Sequence, residues 1–582
     1  MSLLEKIDPP EDGGIEPGKR LIRAGGGQSA SLGEHLSSIL HRLSWRTPFH
    51  ALRLRGRAPL RLVAVPKDPV AGDKAVGEAL LKGRFVHFGE SVAVGDLDFA
   101  SLPGTAYPPH LHDYLQSFEW LRHLAAAATR ERAAKLAEKI VHQWLSAHAE
   151  TVAEPAWRAD LWGRRMLFWT AYAPYMLSSR DSGYRALVLN TLSRGARHLD
   201  KAAEKATPGL ARITAWAGVI AAALLVQGGP ARLSRGEAGL LRALAGSLHD
   251  DGGLLSRSPV EQVMLVELLA QLRAAYYAGD REMPEAVTEA LSGAVAALLG
   301  ATLGDEGLSS WQGGNMLSKR RIAAAVEGSG STVRPLRQPR GWGYQRLEAK
   351  GTVAVFDAAP PPPTRAFAGG CASTLAFELS EGSSRLIVNC GGPGAAEGAL
   401  PAELVQALRS SAAHSTLTLG DRNSTAVHED GSLGKGVGQV ELVRDETAGS
   451  VMVEASHDGY VRRFGLVHQR QLTIAADGRE VRGQDLLTLE GRRRRGDSIP
   501  YAVRFHLHPD VEAATTADGQ GALLRVRGRT VWQFRCRGGR LAIEDSLWVD
   551  GGAQLRETSQ LVVAGDSPPD GTAIAWIFRR AG

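Results

Sequence analysis

The sequence predicts a multidomain protein in which an N-terminal all-α domain is followed by a C-terminal antiparallel β-sandwich. Three observations indicate this. The chain of 582 residues is too long for one hydrophobic core, so two or three domains are expected. Apolar residues recur with a helical period before about residue 335, and with a period of two after residue 345.

The helical half contains eight segments with apolar residues at i, i+3, i+4 and i+7, which place those residues on one face of a helix. Glycine, proline or polar clusters separate the segments. Trp162, Trp169 and Trp216 have helical neighbours and are predicted to lie in the core. Consecutive helices with short joins form hairpins, either stacked or closed into a toroid. The segments are residues 110–128, 131–149, 163–177, 184–199, 212–226, 237–248, 259–277 and 284–303.

The second half consists of many short alternating segments joined by Gly and Asp-Gly turns, which is typical of an antiparallel sandwich. The proline-rich stretch 359–370 is predicted to be a loop or rigid connection between the halves. The predicted divisions are a flexible arm over residues 1–30, the helical domain over 31–335 and the sandwich over 336–582.

The charge, the cysteines and the lengths of the apolar stretches limit the ligands and partners to be expected. The net charge of +6 is modest, and it would favour anionic ligands only if it were gathered in one cleft. Three cysteines without metal-type spacing predict reduced thiols. No stretch approaches a membrane span of roughly 20 apolar residues, and residues 215–226 are predicted to be a buried helix. The basic run 492–495 lacks interleaved aromatic residues, so no nucleic-acid partner is expected.

The N-terminus has acidic residues and prolines where a signal peptide would have a basic start and an apolar run. This pattern predicts a cytoplasmic protein, or a periplasmic one if an export signal has been removed. No oligomeric state is predicted.

A single histidine stands in the stretch SSAAHSTLTL, residues 410–419. In a strand, His414, Thr416 and Thr418 would share one polar face, while the leucines would face a core. An imidazole with a pKa near 6.5 exchanges a proton near neutrality. His414 is therefore either a working group at an open surface or a polar residue on a solvated strand.

Several motifs of the second half, in their order and spacing, resemble bacterial heparinase II/III-like proteins, a group of polysaccharide lyases. The helical half is similar to this group more loosely, through residues 249–276 and 307–316. The resemblance implies an (α/α) toroid followed by the sandwich. The motifs of the second half are residues 343–358, 386–391, 410–419, 456–474, 477–487 and 503–509.

The resemblance also implies β-elimination on a uronic-acid-containing polysaccharide or oligosaccharide. This reaction needs a group that neutralises the C5 carboxylate, a base that removes the α-proton and an acid that protonates the departing oxygen. In characterised members an Asn or His on a toroid helix does the first, and a Tyr with a sandwich His does the others. His414 matches the sandwich histidine.

The helical half departs from this pattern. After the Ser258-Pro259 pair the chain has Glu261 and Gln262 where the family has Tyr. Where an Asn-His pair is expected, residues 209–219 contain Arg212 as their only charged residue.

Nearby residues offer substitutes for the missing groups. Arg257 and Arg212 would neutralise a carboxylate, because guanidinium binds it bidentately. Glu261 would act in proton transfer if desolvated, and Tyr344 would supply a phenol, with Tyr184 as a weaker alternative. Alternatively, Arg257 and Glu261 form a helix-start pair and Tyr344 packs at the domain junction.

Trp311, Gln312 and Asn315 lie in a Gly-rich turn, where they would bind and stack on sugars or else pack as a buried loop. No cofactor is expected to be required. His457, His506 and His508 are weak candidates for a structural zinc, which needs three or four converging ligands.

Three hypotheses follow. The first is a polysaccharide lyase that cleaves acidic glycans by β-elimination in a cleft between toroid and sandwich. The second is a catalytically altered member that binds acidic glycans without cleaving them. The third is a glycoside hydrolase that uses Glu261 with another carboxylate.

Overall fold

A computed structural model describes residues 18–24, 61–104, 107–226, 229–363, 369–392, 400–490, 498–526 and 530–581, with a few single positions between them. The predicted fold class is confirmed: an α-helical toroid precedes a sandwich of two large antiparallel sheets. The last toroid helix ends at Ser329, and the next strand along the chain begins at Tyr344.

The helices of the toroid follow the predicted apolar periods closely, and Trp162, Trp169 and Trp216 lie in its core as predicted. The helix α8 continues into a π-helical turn, Ala222–Val226. The helices are α1 Lys74–Leu81, α2 Pro109–Ser117, α3 Trp120–Ala127, α4 Arg130–His148, α5 Ala159–Ala171, α6 Ala173–Met176, α7 Ser182–Ala202, α8 Leu210–Ala221, α9 Pro230–Ala245, α10 Pro259–Ala278, α11 Glu285–Gly300 and α12 Lys319–Ser329. Two short helices, α13 Ala402–Ala407 and α14 Val461–Phe464, belong to the sandwich half.

Glycine brings two central toroid helices into direct backbone contact. A Cβ placed on Gly163 of α5 would lie 2.1 Å from the carbonyl oxygen of Thr214 on α8. A Cβ on Gly218 would in turn lie 2.5 Å from the Cα of Gly163. Neither position therefore tolerates a side chain unless the helices separate.

The first sandwich sheet has nine strands in the order β1-β9-β10-β11-β12-β19-β16-β15-β14. The strand β10 alternates buried and half-buried residues along its length, as its sequence pattern predicts. The strands are β1 Arg20–Arg23, β9 Gln439–Glu446, β10 Ser450–His457, β11 Leu466–Ala475, β12 Glu480–Leu489, β14 Val511–Thr515, β15 Gly521–Val526, β16 Val531–Arg537 and β19 Gly571–Arg580.

The second sheet has the order β17-β18-β13-β7-β6-β5-β4, and β8 pairs with β13 beside this path. A separate hairpin of two strands, β2 Arg84–His87 and β3 Glu90–Ala93, precedes α2. The strands of the second sheet are β4 Tyr344–Ala349, β5 Thr352–Asp357, β6 Phe377–Glu381, β7 Ser384–Val388, β8 Leu417–Leu419, β13 Ile499–Leu507, β17 Arg540–Val549 and β18 Leu555–Ser567.

Two predictions about connecting segments need correction. Within the arm predicted over residues 1–30, Arg20–Arg23 form a strand that pairs with β9, so these four residues are not loose. Residues 359–370 do not join the halves. They lie between β5 and β6, so this proline-rich stretch is a connection within the sandwich. Most of residues 1–30 and the basic run 492–495 lie outside the described residues.

Charged residues lie buried between the two sheets. The Nε atom of Arg470 donates to Asp485 at 2.7 Å, and His468 Nε2 donates to the same carboxylate at 2.7 Å. Arg470 Nη1 reaches across to the carbonyl oxygens of Leu375 and Ser415 at 2.8 and 2.7 Å. All three ionisable side chains are fully buried, so the network fixes the sheets relative to each other.

Replacing Asp485 with Asn should therefore strongly destabilise the sandwich. The change leaves the Arg470 guanidinium buried without a counter-charge, and we expect a loss of about 3–5 kcal/mol in the free energy of unfolding. The measurement is the urea unfolding transition of the purified variant. Glu480→Gln, which removes the exposed pair with Arg579, serves as the control and should change stability by less than about 1 kcal/mol.

Candidate functional site

Arg257 of the toroid extends into the sandwich. It adopts a left-handed backbone conformation, with φ at 51°, directly before Ser258, the N-cap of α10. Its Nη2 atom lies 2.5 Å from the Asp357 carboxylate of β5, and its Nε and Nη1 atoms donate to the carbonyls of Trp342 and Pro360 at 3.0 and 2.8 Å. Burial opposes the charge of Arg257, but the Asp357 carboxylate raises the net pKa of this guanidinium above its ordinary value. The charge of Arg257 is therefore balanced by the Asp357 carboxylate within the protein.

Tyr344 lies directly under Arg257. The guanidinium carbon sits 4.7 Å from the centre of the tyrosine ring, and the hydroxyl donates to the Arg257 carbonyl at 2.6 Å. The side chain is fully buried between Trp311 and Trp342, and burial raises the pKa of its phenol well above the usual value. Sequence reasoning offered Tyr344 as a phenol for the cleft or as a junction residue, and the structure places it in the junction.

Asp357 was missed by the sequence reasoning, although a signal existed. It ends β5, a strand in which every residue is buried, and a buried carboxylate in such a strand requires a partner. One oxygen accepts from Arg257, and the other accepts from Ser373 Oγ at 2.7 Å. Gly343 allows the chain to pass beside this pair, since a Cβ there would lie 2.9 Å from Arg257 Nη2.

The Gly-rich turn with Trp311, Gln312 and Asn315 is buried rather than open to a ligand. Trp311 stacks on Tyr344 with ring centres 5.4 Å apart. Gln312 Nε2 donates to Ser373 Oγ at 2.8 Å, and Asn315 Oδ1 accepts from Gly392 N at 2.8 Å. Their side chains are at most 3% exposed, so the structure corresponds to the packed-loop alternative and does not offer a sugar-stacking indole.

His414 is the best-positioned polar group of the predicted set, but its surroundings differ from the prediction. It does not lie on a solvated strand, because a short 3-10 turn precedes it and β8 begins only at Leu417. The side chain is 2% exposed. Its Nδ1 lies 2.7 Å from the Ser410 carbonyl, which can only accept, so Nδ1 carries the proton. Nε2 is then an acceptor, and it has no hydrogen-bond partner among the described residues.

Burial lowers the pKa of His414, although the Ser410 carbonyl and the Asp357 carboxylate both counteract this. The imidazole is therefore neutral near pH 7. The next residue, Ser415, is held by three hydrogen bonds. Its N donates to Asn389 at 3.0 Å and its Oγ donates to Val388 O at 2.8 Å, while its carbonyl oxygen accepts from Arg470. These hydrogen bonds fix the backbone position of His414.

Glu378 connects this region to the toroid. One carboxylate oxygen accepts from Ser310 N at 3.1 Å and from both nitrogens of Asn389 at 3.2 Å. The other oxygen is buried without a hydrogen bond, 3.7 Å from Arg385 Nη1. Burial raises the pKa of Glu378 to about 7. Sequence reasoning did not single out Glu378, because its partners come from a distant loop.

Glu261 and Arg212 are not brought to this cluster. Glu261 lies in the first turn of α10, where Ser256 hydrogen bonds to it, and burial raises the pKa of its carboxyl group. In the described part of the chain it makes no hydrogen bond or ion pair with Arg257, Tyr344 or His414. Arg212 lies in the first turn of α8 and donates to the Ala206 carbonyl at 2.9 Å, which is a helix-end contact. Tyr184 is buried on α7 beside His142.

The three weak zinc candidates are also separate from one another. His457 contacts His468 at 3.3 Å, whereas His506 contacts Ser546 and His508 packs against Trp548. Across the described ranges, no group of three or more His, Cys, Asp or Glu side chains is arranged to hold a metal ion. The expectation that no cofactor is required stays a prediction. No helix in the described part is both long and apolar enough to cross a membrane.

Comparison with known proteins addresses the resemblance directly. Residues 331–577 match the family described as heparinase II/III-like, C-terminal. This part of the chain is a heparinase II/III-like domain. The resemblance read from the motifs between residues 343 and 509 is therefore confirmed.

Solved structures extend the likeness to the toroid. Heparinase III superimposes with a TM-score of 0.65 over 96% of this chain and 93% of its own, at 13% identity. Heparan sulfate lyase HepC from Pedobacter heparinus gives a TM-score of 0.56 over 94% and 88%, at 14% identity. At such low identities these matches establish a shared fold.

A relative of similar length is named for its localisation and not for a lyase activity. FtsZ-localized protein C of Caulobacter vibrioides is 29% identical over 558 residues, which cover 91% of this chain and 92% of the relative. The similarity therefore runs through both the toroid and the heparinase II/III-like domain.

The raised pKa of Glu378 predicts a pH-dependent stability. A buried carboxyl group whose pKa rises on folding stabilises the fold fully below its unfolded value of 4.5, and this contribution is lost as the pH rises through about 7. Glu378→Gln keeps the shape without the charge. Between about pH 5 and pH 8, the wild type should lose about 3 kcal/mol of unfolding free energy relative to the variant. Urea titrations at both values test this, and parallel pH profiles would contradict it.

Proposed function

We propose that this chain binds acidic glycans on its heparinase-type scaffold and does not cleave them by β-elimination. One observation carries the proposal: the two groups predicted to neutralise the substrate and to supply a phenol are buried and committed. Arg257 is paired with Asp357, and Tyr344 donates its hydroxyl to the Arg257 carbonyl.

Elimination needs a group that balances the charge of the substrate carboxylate while the α-proton leaves. Arg257 already has a carboxylate partner, so a second one would have to displace Asp357 from a buried site. Tyr344 has its hydroxyl committed to a carbonyl, and its raised pKa opposes formation of a phenolate. Glu261 replaces the family tyrosine and lies apart from both.

Features that support binding remain. The Nε2 atom of His414 is an acceptor without a partner in the described chain, and it stands on a backbone held by Asn389 and Arg470. A fixed neutral imidazole suits a hydrogen bond to a sugar hydroxyl, because little entropy is lost when it binds. The fold is also that of proteins named as heparan sulfate lyase and heparinase III, which supports a glycan ligand.

The hydrolase alternative has less support. Paired carboxylates are needed for glycoside hydrolysis, one on each side of the scissile bond. The groups that influence Glu261 are Ser256 and Arg164, and no second carboxylate among the described residues contacts it.

Calorimetry and absorbance with the same substrates test the proposal. We expect saturable binding of at least one of heparan sulfate, hyaluronan, alginate or glucuronan by the wild type. No rise in ultraviolet absorbance from a new C4–C5 double bond should follow, because Arg257 is already paired with Asp357 and the Tyr344 hydroxyl is buried and bonded to a carbonyl. His414→Ala should give the same flat absorbance trace.

An active lyase run on the same polymers serves as the positive control for the absorbance assay. A rise in absorbance with the wild type that disappears in His414→Ala would establish the lyase hypothesis instead. An increase in reducing ends without absorbance would favour the hydrolase. Absence of binding to every polymer would refute glycan binding.

A second function has its own support: we propose that this chain localises with FtsZ. The relative named for this property is 29% identical and matches 92% of its own length, whereas the lyases are 13–14% identical. Localisation and glycan binding are compatible, because they need not use the same surface.

Fluorescence microscopy of a fusion to the full chain tests localisation. In cells that contain FtsZ, the fusion should coincide with FtsZ, and depletion of FtsZ should disperse it. The matched control is the same fusion in the depleted strain. Uniform fluorescence in cells whose FtsZ is assembled would refute this second proposal.

A further inference from the structure

Arg504 is a half-buried cation without a counter-ion in the described chain. It lies on β13, and its Nη1 donates to the hydroxyl of Thr418 on β8 at 2.7 Å. None of the ion pairs formed by described residues includes it, in contrast to Arg257, Arg385 and Arg470, which each contact a carboxylate. A guanidinium half removed from water and held by a neutral hydroxyl retains donors for an anion.

Three described side chains within reach of the charge of Arg504 are neutral near pH 7. Its positive charge acts on the side chains of His506, Cys390 and Tyr460, and none of these three is influenced by a carboxylate. His506 is itself neutral, because burial, with smaller effects of His414 and Arg504, lowers its pKa to about 3. These neutral side chains do not offset the charge of Arg504, and an unpaired guanidinium favours an anionic ligand.

Arg504 also lies on the same side of the sheet as the His414 region. In β13, Val503 and Phe505 point into the sandwich core, so Arg504 and His506 point to the opposite face. Arg504 N donates to Thr416 O at 3.0 Å, and Thr416 N in turn donates to the carbonyl oxygen of His414 at 2.8 Å. His506 Nε2 lies 2.9 Å from the carbonyl oxygen of Ala412, two residues before His414.

We propose that Arg504, oriented by Thr418, binds the carboxylate of an acidic sugar in a subsite beside His414. The choice of a sugar carboxylate rests on the proposed function. The planar fork of the guanidinium matches two carboxylate oxygens, and partial burial strengthens the contact relative to one at an exposed lysine or arginine. This subsite supplies to the sandwich the carboxylate contact that the paired Arg257 of the toroid lacks.

Binding of glucuronate, with glucose as the uncharged comparison, tests the subsite. The wild type should bind glucuronate saturably and glucose much more weakly. Arg504→Gln should weaken glucuronate binding by about tenfold or more, because a charge-assisted pair is lost. Thr418→Val should weaken it by a smaller factor, because only the orientation of the guanidinium is affected. Isothermal titration calorimetry of the full chain measures the dissociation constants of the wild type for both sugars and of the two variants for glucuronate.

Arg525→Gln is the matched control, since Arg525 is an exposed arginine on β15 of the other sheet. It should bind glucuronate as the wild type does. Thermal unfolding of Arg504→Gln without ligand shows whether the variant is folded. Equal glucuronate binding by Arg504→Gln and wild type, or no glucuronate binding by the wild type, would overturn the subsite.

The polymer experiment separates this inference from the proposed function. If the wild type binds a uronate polymer and Arg504→Gln binds it equally, the function stands and the subsite is refuted. If the wild type binds glucuronate through Arg504 but no polymer, the subsite stands and the function is refuted.

Discussion

The buried ion pair between Arg257 and Asp357 holds the toroid against the sandwich, and the geometry of the junction depends on it. Arg257 sets the start of α10, receives the hydroxyl of Tyr344 on its carbonyl and donates to two other backbone carbonyls. Asp357 extends the network through Ser373 to Gln312. Burying two charges is expensive, and only the complete set of partners offsets the loss of water. The contact between the halves is therefore specific to one relative orientation.

In this arrangement Arg257 and Tyr344 stabilise the junction between the halves and are not free to take part in β-elimination. A phenol and a guanidinium at the mouth of a toroid can serve a reaction only if their donors are free when the substrate arrives. Here both are satisfied by the protein itself, whereas on the sandwich the Nε2 atom of His414 has no hydrogen-bond partner among the described residues. The fold is shared with lyases, but function depends on which side chains remain available on that fold.

Periodicity was sufficient to predict the two halves, because burial of one helix face or one strand face leaves a regular pattern in the sequence. It could not predict the partners of individual polar residues. Trp311 and Gln312 look like sugar ligands in a Gly-rich turn, yet they pack under Tyr344 and beside Ser373, which are distant in sequence. His414 was found through its motif, but its burial depends on the turn before β8. Asp357 and Glu378 acquire their importance only from residues that the folded chain brings to them.

The short strand β1 completes the nine-stranded sheet by pairing Ile22 with Val440, although nearly the whole toroid and much of the sandwich lie between these positions in the chain. During synthesis this segment is made long before its partner β9. The toroid can close on local contacts meanwhile, whereas the edge of β9 stays uncovered until β1 returns. An uncovered strand edge is a site for association between chains. In the folded protein the edge position therefore belongs to a four-residue strand that begins and ends with arginine, instead of the eight-residue β9.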